Sequence, residues 1–439
     1  MLGEAFTFST SVAEGAGVIA AKDLDTDELF MRIPRSAMLT FETALQSPFG
    51  QLIVRDEKLA KSQSLATAMH LLFERLAGDK SRWAPYLAIL PLRYTTPLHA
   101  SLAELRALKG SAIYSGTLRM LAANVRQYVE MFQAHARAQR STKLPDFTYA
   151  EFRWAVATLM ARQNKVLARS FTPGSQPVTT IALIPGFDSL NHAPFGGDIK
   201  SAFDWPTQSS ESYAHAPVKQ GDQVYIDYGG RPNSLLFMYQ GFVVPGLSTD
   251  RVLTRLNINV SDPLFKLKQN LLNQLGLAHA EMAVPVKADV GAAAGAVPPP
   301  HAPLVQWRDL WRVIAVHSMT KEELAAALVS LTKAFKESGM VSIRGLDGTA
   351  VLTALRPTGY FLAQEDCPED WRERVYEALQ AHVQPALEAR TDAAADAAAA
   401  VVTGEAPPQT PFTALAKTFV ETETKLFSDL LTRIEMRAI

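Results

Sequence analysis

Three short stretches put polar side chains where their apolar neighbours would bury them. In QVYIDYGG, residues 223–230, Val224, Ile226 and Tyr228 share one strand face, so a phenol continues an apolar row. In GFDSLNHAP, residues 186–194, Asp188, Asn191 and His192 crowd together just after the apolar run IALIP. Polar groups at a core edge need partners. In DFTYAEFRWAVATLMARQN, residues 146–164, Phe152, Ala155, Leu159 and Arg162 recur at helical spacing, so an arginine continues another apolar row. Asn164 lies roughly 200° further around an unbroken helix. Both can face one site only if the helix stops near Gln163. These residue types bind and orient: a phenol hydroxyl, an amide that donates and accepts, a guanidinium that pairs with carboxylates. Each also has an ordinary structural reading. Arg162 can reach water from a helix end, Tyr228 can be a core tyrosine bonded to backbone, and Asn191-His192 can be a solvated turn.

Other chemistries are excluded or unsupported. HExxH, GxSxG and GxxxxGK[ST] do not occur, and GAG at 15–17 is too short to mark a dinucleotide site. One cysteine, Cys367, rules out an internal disulfide and a CxxC zinc site, and a reducing compartment fits. No metal site is indicated. A net charge of −1 exerts no global pull toward nucleic acid or an anionic membrane. The first residues show no basic segment followed by an apolar core, so no signal peptide is expected. No uninterrupted apolar window is long enough for a transmembrane helix. The expectation is a soluble cytosolic or nuclear protein.

Elements that could position those residues follow from periodicity. GVIAAKDL (17–24) and ELFMRIP (28–34) read as strands, with Pro34 ending the second. LATAMHLLFERLA (65–77) and LRMLAANVRQYVEMFQ (118–133) read as helices, the latter with a stripe of Leu118, Leu121, Val125, Tyr128 and Phe132. Thr148 and Glu151 are placed for a capping box at the start of the helix that ends near Arg162. Strands return at VTTIALIP (178–185) and QVYIDY (223–228). Helical periodicity then runs through 263–276, 321–335, 371–389 and 413–437. The fold class is α+β. It comprises a strand-rich region at 1–246 with a helical insertion at about 45–176, then an all-helical region at 247–439. Low-complexity stretches at about 285–305 and 390–411 interrupt the latter.

In this order, the motifs resemble the SET-domain protein methyltransferases. The branch in question carries a helical insertion inside the SET fold and a helical substrate-binding domain after it, as in Rubisco and other non-histone lysine methyltransferases. GAGVIAAKDLDTDELFMRIPR, WAPYLAILP, FTYAEFRWAVATLMARQN, IALIPGFDSLNH, GDQVYIDYGGRPN and QGFVV are more similar still to the members that methylate a histidine of actin. The resemblance runs from about residue 15 to 276. It implies S-adenosyl-L-methionine as cofactor and a protein substrate, actin in first place. It implies that the Glu28, Leu29 and Phe30 backbone, Arg162, Asp188, Ser189, Leu190, Asn191, His192 and Gln240 hold the cofactor. Tyr228 matches the catalytic tyrosine, Asn164 the residue that bonds a substrate imidazole, and Phe187 and Arg231 substrate contacts. The Asn-His segment is implied to lie in a knot-like crossing beside the tyrosine strand, a rare kind of threading.

The chemistry suits these residue types. Methyl transfer is an in-line displacement that needs the attacking nitrogen about 3 Å from the methyl carbon. A lysine acceptor must first lose a proton from a reference pKa of about 10.4, whereas histidine at about 6.5 is largely neutral at pH 7. Histidine therefore needs orientation and the right tautomer more than deprotonation. The chain departs from the actin-directed members at Phe187, where they carry tryptophan, at Asp227, where they carry an aromatic, and at Gln240, a small-residue position. These departures leave a lysine acceptor open. A non-catalytic SET module that only binds a partner also stays open.

Overall fold

The computed structural model describes residues 5–142, 145–193, 196–255, 261–274, 277, 281–285, 307–337, 369–403 and 407–436. The chain divides into two units. The first comprises Met1–Leu102, Ser115–Gly229 and Leu236–Val244; the second comprises Ala103–Tyr114, Gly230–Leu235 and Pro245–Ile439.

In the first unit, short antiparallel ladders form a β shell. β1 (Phe6–Val12) pairs with β2 (Gly15–Ala20). β3 (Leu29–Pro34) pairs with β9 (Ser209–Ala214), which also pairs with β8 (Ile199–Asp204). β4 (Leu39–Thr40) and β5 (Asn164–Leu167) flank β6 (Thr179–Leu183). The inner faces of these strands meet in one core containing Phe30, Met31, Ile33, Leu190 and Val224. A second core belongs to the helical insertion, α1 (Phe41–Gln46) through α7 (Tyr149–Arg162). There α4 (Gln63–Leu76) supplies Met69, Leu71 and Leu72, which pack with Phe152, Ala155 and Leu159 of α7.

The element that matters most is α7. The Thr148 hydroxyl accepts from the Glu151 N–H at 3.3 Å, and the Glu151 carboxylate accepts from the Thr148 N–H at 2.7 Å, so the expected capping box is present. At the other end Gln163 leaves helical geometry, at φ −66° and ψ 140°, and the Ser64 hydroxyl donates to its side chain at 2.8 Å. The helix therefore stops at Arg162 and the chain enters β5 at Asn164, as the two-residue spacing required.

Two expectations need correction. The stripe assigned to α6 (Tyr114–Thr142) does not face the core: Leu118, Val125 and Phe132 are 38%, 45% and 41% exposed. The buried row lies next to it, at Thr117, Asn124, Met131 and His135, with Leu121 and Tyr128 shared. Polar residues occupy inner positions there, so an apolar count placed the face about one residue step away. The strand expected over 223–228 also pairs over a shorter length. The Val224 N–H donates to the Val18 carbonyl at 2.8 Å, and only β10 (Tyr225–Ile226) then turns to β7 (Asn191–His192). The segment changes partner halfway, which alternation alone cannot reveal.

After the helical turn α8 (Asn233–Leu235), the described elements of the second unit are helical with one exception. β11 (Arg251–Arg255) pairs antiparallel with β12 (Glu281–Pro285), a ladder that the all-helical expectation missed because its strands are distant in sequence. The helices are α9 (Phe265–Gln274), α10 (Trp307–Ser318), α11 (Lys321–Glu337), α12 (Glu369–Thr403) and α13 (Pro411–Glu435). Their core centres on Leu272, Ile314, Val316, Tyr376 and Phe427. The alanine-rich stretch after residue 390 continues α12 to Thr403, in keeping with alanine's high helix propensity. The other low-complexity stretch lies, beyond Pro285, outside the described residues.

Candidate active site

The site is built on a crossing. β7 runs parallel to β10, with Asn191 opposite Tyr225 and His192 opposite Ile226. The Ala193 N–H continues the pairing to the Ile226 carbonyl at 3.0 Å. This brings His192 onto the face that Tyr228 occupies, and their rings stack at 5.1 Å and 24°. The Tyr228 N–H donates to His192 Nδ1 at 3.2 Å, so that nitrogen carries a lone pair. The Tyr228 hydroxyl donates to the Leu190 carbonyl at 2.8 Å. Its oxygen is thereby held in place by the same segment that carries Asn191 and His192. Phe242 closes the ring cluster, 6.0 Å from His192 and 6.2 Å from Tyr228.

Just upstream, Gly186 at φ +92° turns the chain out of β6 into a 3-10 turn, Phe187–Ser189. Phe187 packs against the β core and Ser189 closes the turn to the Gly186 carbonyl at 3.2 Å. Asp188 points inward, its side chain fully buried. Arg162 donates through Nη1 to the Asp188 carbonyl at 2.6 Å and to Oδ1 at 3.3 Å. The Tyr86 hydroxyl donates to Oδ2 at 2.6 Å. Burial pushes the Asp188 carboxyl up to about 6, while Arg162 and the Tyr86 hydrogen bond pull against that shift. Burial alone would lower the Arg162 guanidinium; the carboxylate beside it overrides this and raises it. Two donors aimed at one carboxyl favour the ionised pair, and at neutral pH Asp188 carries charge.

Asn191 faces the opposite way. Its amide donates to the Ala16 carbonyl at 2.9 Å, at the start of β2. That approach needs Gly17, inside β2: a Cβ there would sit 2.9 Å from Asn191 Nδ2 and 3.0 Å from Gln223 Nε2. Gly17 alone of the GAG triplet is therefore a close-approach point against the Asn-His segment, since a Cβ at Gly15 would meet nothing within 4 Å. Asn164 donates from Nδ2 to the Arg162 carbonyl at 3.0 Å, which leaves its side-chain oxygen as the remaining acceptor.

The other residues named from the sequence stand as follows. Glu28 pairs with Lys22 at 2.6 Å, and its carbonyl accepts from the Ala214 N–H at 2.9 Å. Leu29 opens β3 opposite Tyr213, and Phe30 is buried in the same core as Leu190. Gln240 ends a π-helical turn, Leu236–Gln240, in the first unit. Arg231 belongs to the second unit, where its carbonyl accepts from the Thr249 hydroxyl at 3.4 Å. Sequence reasoning missed Tyr86, Phe242 and Tyr94, whose buried phenol adds to the electrostatics of Arg162 and Asp188. Tyr86 and Phe242 lie in WAPYLAILP and QGFVV, where the resemblance was strong, but nothing local indicates their partners.

No known family model matches the chain. Solved structures define the fold class: a SET domain. The crystal structure of the SET domain of LSMT bound to lysine and AdoHcy aligns with a TM-score of 0.68 at 19% identity, covering 99% of this chain and 87% of that one. Rubisco LSMT bound to AdoMet aligns with a TM-score of 0.67 at 18% identity, covering 99% and 88%. In sequence, the chain is similar to the actin-histidine N-methyltransferase of Mus musculus, at 32% identity over 329 residues, 74% of this chain and 52% of that protein. The chain spans about half the length of the curated relatives it matches.

Proposed function

We propose that the chain is an S-adenosylmethionine-dependent protein N-methyltransferase whose acceptor is a histidine of actin. One observation carries the reading: the Leu190 carbonyl holds the Tyr228 hydroxyl while the next two residues form the crossing strand. Binding groups and an orienting phenol are thus tied to one segment. The residues fit the cofactor. The segment from Asp188 to His192, the Glu28–Phe30 strand start, Arg162 and Gln240 would hold it. Gly17 keeps the Asn191 amide within reach, and Arg162 Nε is buried with no acceptor among the described residues. When bound, S-adenosylmethionine supplies an electrophilic methyl group on a cationic sulfur.

The chain's own residues then orient the acceptor. The Tyr228 ring, its hydroxyl held by the Leu190 carbonyl, would bound the space in which the incoming ring is oriented. The Asn164 oxygen accepts the N–H of an imidazole, which selects the tautomer whose other nitrogen is nucleophilic. No general base is needed for a ring that is neutral at pH 7. Phe187 and Arg231 would contact the substrate polypeptide. Histidine is favoured over lysine because similarity is higher to the actin-histidine relatives than to the lysine-bound LSMT structures. The purified chain, given methyl-labelled cofactor with actin, an actin peptide and a lysine-substrate panel, should label one histidine of actin by mass spectrometry. Methyl-lysine as the sole product rejects the histidine reading. Cofactor binding without transfer to anything supports a binding module instead.

A further inference from the structure

The buried carboxylate of Asp188 is reached from three directions. Arg162 comes from the end of α7, Tyr86 from α5 (Ala84–Ile89), and Tyr94 from the loop after α5 adds to the local field. Tyr86 is as buried as its partner, at 6% against 8% exposure, and lies 102 residues away in sequence. Its hydroxyl has one acceptor, and that acceptor belongs to the turn that leads into Leu190, Asn191 and His192. A continuous line of bonds therefore runs from the Tyr86 hydroxyl to the Asp188 carboxylate, along the Phe187–Ser189 turn, to the Leu190 carbonyl and the Tyr228 hydroxyl. We propose that Tyr86 is a positioning residue of the active site, acting through Asp188 to hold the segment that anchors Tyr228. This rests on the methyltransferase reading above.

The helical insertion thus does more than pack. Through Tyr86 it pins one end of the crossing, while Arg162 pins the same residue from the other side. Removing one donor leaves a buried carboxylate short of a partner, which costs more than the bond itself. The sign of the pH effect follows. Asp188 titrates at about 6, and the Tyr86 bond favours its charged form. Without that bond the midpoint climbs, and a larger share of Asp188 is protonated near neutrality. Protonation weakens the hold of Arg162 as well, so the segment loosens most at low pH.

The test is Tyr86→Phe, which keeps the ring and its burial. Its kcat/KM should fall about tenfold at pH 6.5, and by less at pH 9, where Asp188 is ionised in both proteins and only the Tyr86 bond itself is missing. A deficit of equal size at every pH, or no deficit, overturns the proposal. In an Asp188→Ala background, which leaves Tyr86 no side-chain acceptor, the same substitution should add less than about twofold. A full penalty there shows that Tyr86 does not act through Asp188. Amide exchange across 186–193 should quicken at least severalfold in Tyr86→Phe and in Asp188→Asn alike; unchanged protection in both overturns the proposal. Exchange needs no turnover. A parent chain that transfers no methyl group therefore defeats the functional reading while this structural arm still decides the role of Tyr86.

Discussion

Arg162–Asp188 in the first unit and Arg390–Glu423 in the second are both buried arginine–carboxylate pairs, at 3.3 and 3.2 Å. They do different work. Glu423 also accepts from the Ala112 N–H, at 3.2 and 3.1 Å to its two oxygens, and Arg390 lies 3.8 Å over the Phe427 ring. That pair ties α12, α13 and the 103–114 segment of the second unit together, with side chains 4% and 5% exposed. Asp188 is as deeply buried, but the Arg162 side chain keeps 17% exposure, and the carboxylate's partners fix a turn rather than a helix interface. The same chemical pair closes a core in one place and leaves an edge open to a site in the other.

The largest effect should come from breaking the closed pair. Arg390→Ala leaves Glu423 buried and uncompensated, and should lower stability by about 3–5 kcal/mol in denaturant titration. Replacing both partners with apolar residues of similar volume should recover most of that loss. If the single and double variants lose equally, the pair matters for shape and not for charge. At the open site the effect moves from stability to chemistry. Tyr228→Phe should reduce turnover about a hundredfold while cofactor affinity shifts within about twofold. Equal losses in both would make Tyr228 a packing residue. The smallest effect lies at the start of α7, at the opposite end of the helix from Arg162. Thr148→Ala removes one cap and should cost about 1 kcal/mol, seen as a shifted unfolding midpoint, with turnover per folded molecule unchanged. A fall in turnover there would mean that the cap controls where the helix ends.

How much of this was legible in advance depended on whether partners are near in sequence. The helix stop between Arg162 and Asn164, the capping box and the run of polar groups after β6 are local, and spacing alone exposed them. The carboxylate that Arg162 meets was expected on a ligand; the structure supplies one from Asp188, 26 residues on. Tyr86 carried no local mark, because a buried tyrosine in an apolar run looks like core until its hydroxyl finds an acceptor. The inner face of α6 was misjudged because Thr117, Asn124 and His135 are buried there despite their polarity. The β11–β12 ladder escaped because pairing between distant segments leaves no periodic trace. Polar groups that reach across the chain, the same ones that build the site, are what one-dimensional pattern reading misses.

In the proposed function the crossing segment binds the cofactor through Asn191. Calorimetric titration of S-adenosylmethionine into the parent chain and into Asn191→Ala tests it most directly. The parent should show one site and the variant at least about a tenfold weaker one. No binding to the parent, or equal binding to both, would contradict it.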